Sequence, residues 1–199
     1  IPSDIRHLTD WDANQNDLCR AINEGTFLVQ HRDHGDYQKW NNPFLSNDDI
    51  NKLNNEDLTF VMSANCRTGH FGYGEDDNDC LAERFLRIND GAVAVVAASE
   101  VSYSFVNDIY VWGFYDYLWS DFIPNDDDDD NDNVFKYPAF ANAYGKYYLQ
   151  KSSWSPYNSL HKDVTYDIMH YFGDAFLQLN TEMPQEIDIT YPKEILSNC

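Results

Sequence analysis

Two seven-residue runs constrain this chain most: Leu58 to Ala64, which is mostly apolar, and Ala92 to Ala98, which is wholly so. A strand with one wet face alternates in polarity. A continuous apolar run of this length reads instead as a strand covered on both faces, as in a parallel sheet. Between them, Cys80 to Arg87 carries Leu81, Ala82, Phe85 and Leu86 at helical spacing. Strand, helix, strand is the pattern of an α/β fold. The alternation starts earlier. Asn16 to Glu24 places Leu18, Ala21 and Ile22 on one helical face, Gly25 stops it, and Thr26 to His31 follows as a short strand. Ser46 to Asp49 caps a short helix through Ile50 and Leu53. Further helices are expected over Phe105 to Phe122, with an irregular axis in its aromatic-rich stretch, over Ala139 to Gln150 and over Val164 to Phe172. Ala175 to Leu179 is expected to close the sheet as a last strand. Ile187 to Pro192 alternates and reads as the start of a separate β module. Three core strands and a terminal one are thin for such a sheet. Its first strands are therefore expected upstream of Ile1 or on a companion chain, and Ile1 reads as a processed or truncated start.

Charge narrows the partners. Lys and Arg total 13 against 34 Asp and Glu, a net charge of −21. That field repels phosphate backbones and anionic headgroups, which argues against nucleic acid and membrane surfaces. It attracts cations and basic peptides. The longest apolar run, Ala92 to Ala98, is about a third of the ~20 residues a spanning helix needs, so no membrane insertion is expected. Hydrophobic residues at 43% and aromatics at 16% argue for a packed core rather than disorder. The four cysteines, Cys19, Cys66, Cys80 and Cys199, are too few for a disulfide scaffold and do not fix a compartment.

Ligands of an open parallel sheet bind beyond the carboxyl ends of its strands. Three loops leave such ends: His31 to Gly35, Asn65 to Gly69 and Ser99 to Tyr103. If the first two strands are neighbours, His34 and Cys66 converge on one edge although they stand 32 residues apart. An imidazole beside a thiol can raise the thiolate population and later protonate a leaving amine. Gly35 removes a side chain next to His34, which lets a substrate backbone approach. The amides of Gly35 and Cys66 are candidate oxyanion donors. Taken singly, a cysteine at a strand end reads as a small buried residue, and a His before Gly as a loop residue. The ordered pair is what carries the chemistry.

These segments resemble the gingipain family of cysteine endopeptidases. The resemblance spans about Asn16 to Asn180. His34-Gly35 matches a His-Gly pair that ends one strand, and Cys66 matches the nucleophile that ends the next. Ala64 to Phe71 is similar to the segment around that nucleophile, and Asp79 to Glu83 to the following helix start. Gly91 to Ser99 is similar to the next strand, and Tyr171 to Ala175 to a closing Phe-Gly-Asp signature. The resemblance implies an α/β caspase-like three-layer sandwich with a mostly parallel sheet, residues 1–185 being the C-terminal part of a catalytic domain. Residues 186–199 would be a linker or the start of an immunoglobulin-like domain. It implies a secreted or bacterial cell-surface cysteine endopeptidase acting on protein or peptide substrates. His34 would be general acid and base, Cys66 the nucleophile, and Gly35 and Cys66 the oxyanion donors. No cofactor is required for that catalysis, though structural Ca²⁺ occurs in the family. The N-terminal half of the catalytic domain, from the same precursor or a companion chain, is an expected partner. No counterpart of that half is present here, so no third catalytic residue is named.

For the substrate cleft, Glu100, Ser102, Tyr103 and Phe105 are the candidates. Glu100 and Asp108 could also face a basic P1 side chain or simply be solvated acids. His31 reads as structural. Cys66, His70 and Cys80 match no standard zinc spacing. Gly69, Gly72 and Gly74 lack the Walker lysine and read as a flexible loop beside the cleft. The acidic runs Glu75 to Asp79 and Asp126 to Asp132 supply hard oxygens for Ca²⁺ but lack the EF-hand pattern. Two alternatives share the fold: a catalytically silent surface module that binds proteins or glycans, and a sortase-like transpeptidase of a secretion system that keeps the same dyad.

Overall fold

Asn14 begins the first element by accepting the Asn16 amide hydrogen at 2.9 Å, while its own amide donates to the Asp17 carboxylate at 3.1 Å. This reciprocal cap starts helix α1 (Gln15–Asn23) and leaves Ile22 buried on its inner face. The computed structural model describes residues 13–73, 78–119, 122–123, 136–153 and 159–180. In chain order, β1 (Leu28–His31), β2 (Gly35–Asp36), β3 (Lys39–Asn41), β4 (Phe44–Ser46), α2 (Asn47–Ile50) and β5 (Thr59–Ser63) follow α1. Then come α3 (Leu81–Arg87), β6 (Ala92–Ala98), α4 (Ser104–Leu118), α5 (Pro138–Lys151), α6 (Ser159–Ile168) and β7 (Met169–Phe172).

The main sheet has the order β1-β5-β6-β7. β1, β5 and β6 run parallel, and β7 runs antiparallel to β6, with Ala98 opposite Met169 and Val95 opposite Phe172. The two apolar runs are thus the central strands, as their lack of alternation requires. All five residues of β5 are buried. One face, through Phe60, Met62, Ala94 and Val96, packs on α4, α5 and α6, where Ile109, Tyr110, Phe114 and Leu149 meet it. The other, through Val29, Val61, Val95 and Ala97, packs on Ile22 of α1, Leu81 and Phe85 of α3, and Trp40 and Leu45 of a small antiparallel sheet, β2-β3-β4. The result is three layers of a mixed α/β fold with a mostly parallel sheet. Each large apolar side chain sunk in these layers contributes about 1.5–3 kcal/mol.

Three expectations are corrected. Val164 to Phe172 is not one helix: α6 ends at Ile168, and Met169 to Phe172 turns into β7. Ala175 to Leu179 is not a strand. Leu177 donates its amide to Asp174, and Leu179 is buried against the α4–α6 layer with its amide on the Lys136 carbonyl at 2.9 Å. The aromatic segment after Tyr103 forms one continuous helix, α4, rather than an irregular one. The proposed β module at Ile187 to Pro192, residues 186–199 in general, and most of both acidic runs lie outside the described residues. No helix among the described residues is long and apolar enough to cross a membrane.

Candidate active site

Because β1 and β5 are parallel neighbours, with His31 opposite Ser63, the loops that follow them leave the sheet side by side. The first carries Arg32, Asp33 and His34; the second carries Ala64, Asn65 and Cys66. Both enter a cavity of about 70 Å³ that Ser102, Ser104 and Asn107 close from the start of α4. That space fits a small side chain or a pair of waters. His34 is exposed, with its amide donating to the Asp33 carboxylate at 2.6 Å, and Cys66 is half-buried.

The turn at Cys66 is fixed by backbone. Arg67 takes φ 60, the left-handed region that ordinary residues seldom adopt. Its amide donates to the Glu100 carbonyl at 3.2 Å, and the Gly69 amide donates to Ala98 at 2.9 Å. The cysteine loop is therefore tied to the end of β6. Around the sulfur, the Ser102 amide lies 3.5 Å away, the Ser102 hydroxyl 3.9 Å and the Ser102 carbonyl 3.7 Å. The Asn107 amide group donates to that hydroxyl oxygen at 2.8 Å, which leaves the hydroxyl hydrogen free to turn toward sulfur. The carbonyl accepts from a thiol, and the two donors face a thiolate, so both forms of Cys66 find partners.

On the histidine side, the Asn41 amide donates to the His34 carbonyl at 3.0 Å. With Gly35 opposite Trp40, this makes Gly35 and Trp40 the non-hydrogen-bonded pair of the hairpin, so the Gly35 amide turns away from β3. A Cβ built on Gly35 would meet the Asn65 Oδ1 at 2.8 Å and the Thr68 methyl at 2.9 Å. Only glycine allows the histidine loop to lie this close to the cysteine loop. Arg32 locks the third wall. Its guanidinium makes a two-pronged pair with Asp108, with Nη2 at 2.7 Å from Oδ2 and Nε on the other oxygen, and Nη2 also reaches the Ser104 carbonyl at 3.2 Å.

The family model for peptidase family C25 matches residues 4–180. The chain belongs to that family. No curated protein matches it. Among solved structures, the crystal structure of the Arg-specific cysteine proteinase gingipain R (RgpB) is similar with a TM-score of 0.73 at 21% identity, covering 94% of this chain and 41% of that one. The complex of Porphyromonas gingivalis RgpB pro- and mature domains is similar at 0.71 and 19% identity, covering 94% and 42%. A further structure, described only as a protease, gives 0.62 at 18%, covering 90% and 41%. The resemblance to gingipains read from the sequence is thus met by family and by fold. The C25 chain spans about two-fifths of the length of these structures.

For a C25 chain, the placement of the anticipated residues divides sharply. His34, Cys66 and Ser102 share the cavity, and Gly35 backs it. Glu100, Tyr103 and Phe105 do not line it. Glu100 lies 3.3 Å from the His70 Nδ1, which also donates to the Ser99 carbonyl at 2.6 Å. Tyr103 packs on His161 with ring centres 4.2 Å apart and planes tilted by 31°. Phe105 is about half exposed, and Asp108 is taken by Arg32. Sequence reasoning missed Arg32, Asn65 and Asn107. The signal was available for the last two: Asn65 and Asn107 are amides beside or inside apolar runs, where a polar group must find partners. Among the described residues no cluster of His, Cys, Asp or Glu could hold a metal, and Cys66, His70 and Cys80 form none.

Proposed function

We propose that this chain is the nucleophile-bearing, C-terminal part (residues 1–185) of a cysteine endopeptidase. The shared cavity of His34 and Cys66 at adjacent parallel strand ends carries this reading. His34 takes the Cys66 thiol proton as sulfur attacks the scissile carbonyl carbon. The carbonyl oxygen becomes an oxyanion, held by the amides of Gly35 and Cys66. The intermediate collapses, the C–N bond breaks, and the proton on His34 passes to the leaving amine. The thioester left on Cys66 is then attacked by water, with His34 again the base, releasing the acid and restoring the thiol. Ser102, through its amide and hydroxyl, stabilises the thiolate. The remaining walls of the substrate cleft come from the companion half of the catalytic domain, and the enzyme works outside the cell or on its surface on protein or peptide substrates.

The experiment is hydrolysis of a fluorogenic peptide library varied at P1, by the chain in its full precursor. Cys66→Ala and His34→Ala should each abolish cleavage while leaving the fold intact. Full cleavage by Cys66→Ala would end the proposal. Adding a primary amine as acceptor separates hydrolysis from transfer, since both pass through the same thioester.

A further inference from the structure

We infer that His31 is a positioning residue for Cys66, acting through Asn65. This rests on the peptidase reading above and adds a residue to it.

His31 ends β1, three residues before His34, and is 5% exposed. Its ring stacks on Trp40, with centres 4.5 Å apart and planes 3° from parallel. The Nε2 lies 3.1 Å from the Asn42 carbonyl oxygen. A carbonyl can only accept, so Nε2 carries the hydrogen, and in the neutral ring Nδ1 is then the acceptor. Burial favours that neutral ring. Nδ1 faces the Asn65 side-chain nitrogen, which donates to it. The orientation of Asn65 follows. Its Oδ1 accepts from the Ser63 hydroxyl at 2.9 Å and from the Thr68 hydroxyl at 2.9 Å. Ser63 in turn accepts from the Trp40 indole nitrogen at 2.8 Å. A flipped Asn65 amide would set oxygen against the lone pair on Nδ1. The Asn65 carboxamide therefore has one orientation, while the Ser63 and Thr68 hydroxyls, themselves 2.8 Å apart, can trade partners without turning it, and His31, Trp40, Ser63, Asn65 and Thr68 are all buried.

Its output is local. Asn65 is the residue before Cys66, and its carboxamide is what Gly35 packs against. One side chain thus spans the two loops that carry His34 and Cys66. A mere core aromatic at position 31 would stack on Trp40 as well, but it would leave both the Asn42 carbonyl and the Asn65 amide unpaired. The need for a donor at one end of the ring and an acceptor at the other is what selects histidine here.

The test compares three variants in the full precursor. His31→Phe keeps the stacking and removes both hydrogen bonds. His31→Asn restores an acceptor near the Nδ1 position. Thr68→Val removes one bond to Asn65 with little change of shape. Three readouts are taken: kcat and KM on the best fluorogenic peptide, the rate at which iodoacetamide modifies Cys66, and circular dichroism. A misplaced reacting group costs rate rather than binding, so His31→Phe should lower kcat by about 10- to 100-fold with KM within about twofold. It should change the Cys66 modification rate by at least about threefold, His31→Asn should recover a large part of kcat, and Thr68→Val should show a smaller loss of the same kind. A folded His31→Phe with parental kcat and modification rate would overturn the inference, as would His31→Asn no better than His31→Phe. If His31→Phe does not fold, Thr68→Val decides, and parental kcat there overturns it. Cleavage surviving in Cys66→Ala would instead remove the peptidase reading. Modification of Cys66 needs no peptidase activity and tests the positioning by itself.

Discussion

The Ser102 amide nitrogen stands 3.5 Å from the Cys66 sulfur, so the loop between β6 and α4 meets the residue that ends the β5 loop. The Ser102 hydroxyl, 3.9 Å away, is the weaker of the two donors and is primed by Asn107. Ser102→Ala deletes only the hydroxyl. A single hydrogen bond to an ion is worth about 1.5–3 kcal/mol at normal distance and less at this one. The expected outcome is a two- to tenfold slower modification of Cys66, read by stopped-time labelling and peptide mapping, with little change in melting temperature. An unchanged rate would remove Ser102 from thiolate stabilisation.

Thiol reactivity should be strongly uneven. Burial pushes the Cys80 thiol up to about 12 and also raises Cys19, where Asp49 adds to the effect. Cys80 is fully buried as well, capping α3 with its amide on Glu83 at 2.9 Å. Near neutral pH, iodoacetamide should modify Cys66 at least about tenfold faster than Cys19 or Cys80. Mass spectrometry of tryptic peptides separates these from Cys199, which lies outside the described residues. Preferential labelling of Cys80 would contradict the packing.

Acid should weaken the buried histidine. Burial lowers the pKa of His31 below its ordinary 6.5. The unfolded chain then binds this proton more readily than the folded one, so the stability from His31 is complete above about 6.5 and is lost as pH falls through the folded value. His31→Phe lacks this titration. The stability difference between parent and variant, measured by urea unfolding from about pH 8 to about pH 5, should therefore shrink as pH falls. A difference that stays constant or widens would count against a neutral, buried His31. Using the difference cancels the relief of self-repulsion that acid brings to a chain of charge −21.

The α4–α5 contact offers a test of the fold itself. A Cβ built on Gly113 would lie 2.4 Å from the Tyr148 Cβ, an atom fixed to backbone. Alanine is favoured over glycine inside a helix by roughly 1 kcal/mol. Overpacking costs about 1–3 kcal/mol, and the upper end applies where the neighbour cannot rotate away. Gly113→Ala should therefore destabilise on balance, and a raised melting temperature would show the helices to be set further apart.

What the sequence disclosed follows from which forces act locally. The runs Leu58 to Ala64 and Ala92 to Ala98 have no polar face, so burial on both sides and a central place in the sheet could be read directly. That the loops carrying His34 and Cys66 leave the sheet side by side and line one cavity followed from parallel neighbours and strand-end loops. The β2-β3-β4 sheet was not legible, because its strands are two or three residues long and only Trp40 and Leu45 of it enter the core. β7 was hidden because Met169 to Phe172 continues the apolar character of α6 without a Gly or Pro to mark the change. Pairing with the open edge of β6 makes it a strand, which is a tertiary effect. The role of Asn65 was hidden for a similar reason. Its partners, His31, Ser63 and Thr68, come from two strand ends and a turn, and only the folded register brings them together.

The most direct measurement is intact-mass and peptide-mapping analysis after treatment with a peptidyl acyloxymethyl ketone, an electrophile that a thiol captures only when a peptide is seated in the cleft. The predicted result is one adduct, on Cys66, absent in Cys66→Ala and formed much more slowly in His34→Ala. An adduct on another residue, or a rate on Cys66 indifferent to His34, would contradict a His34–Cys66 pair.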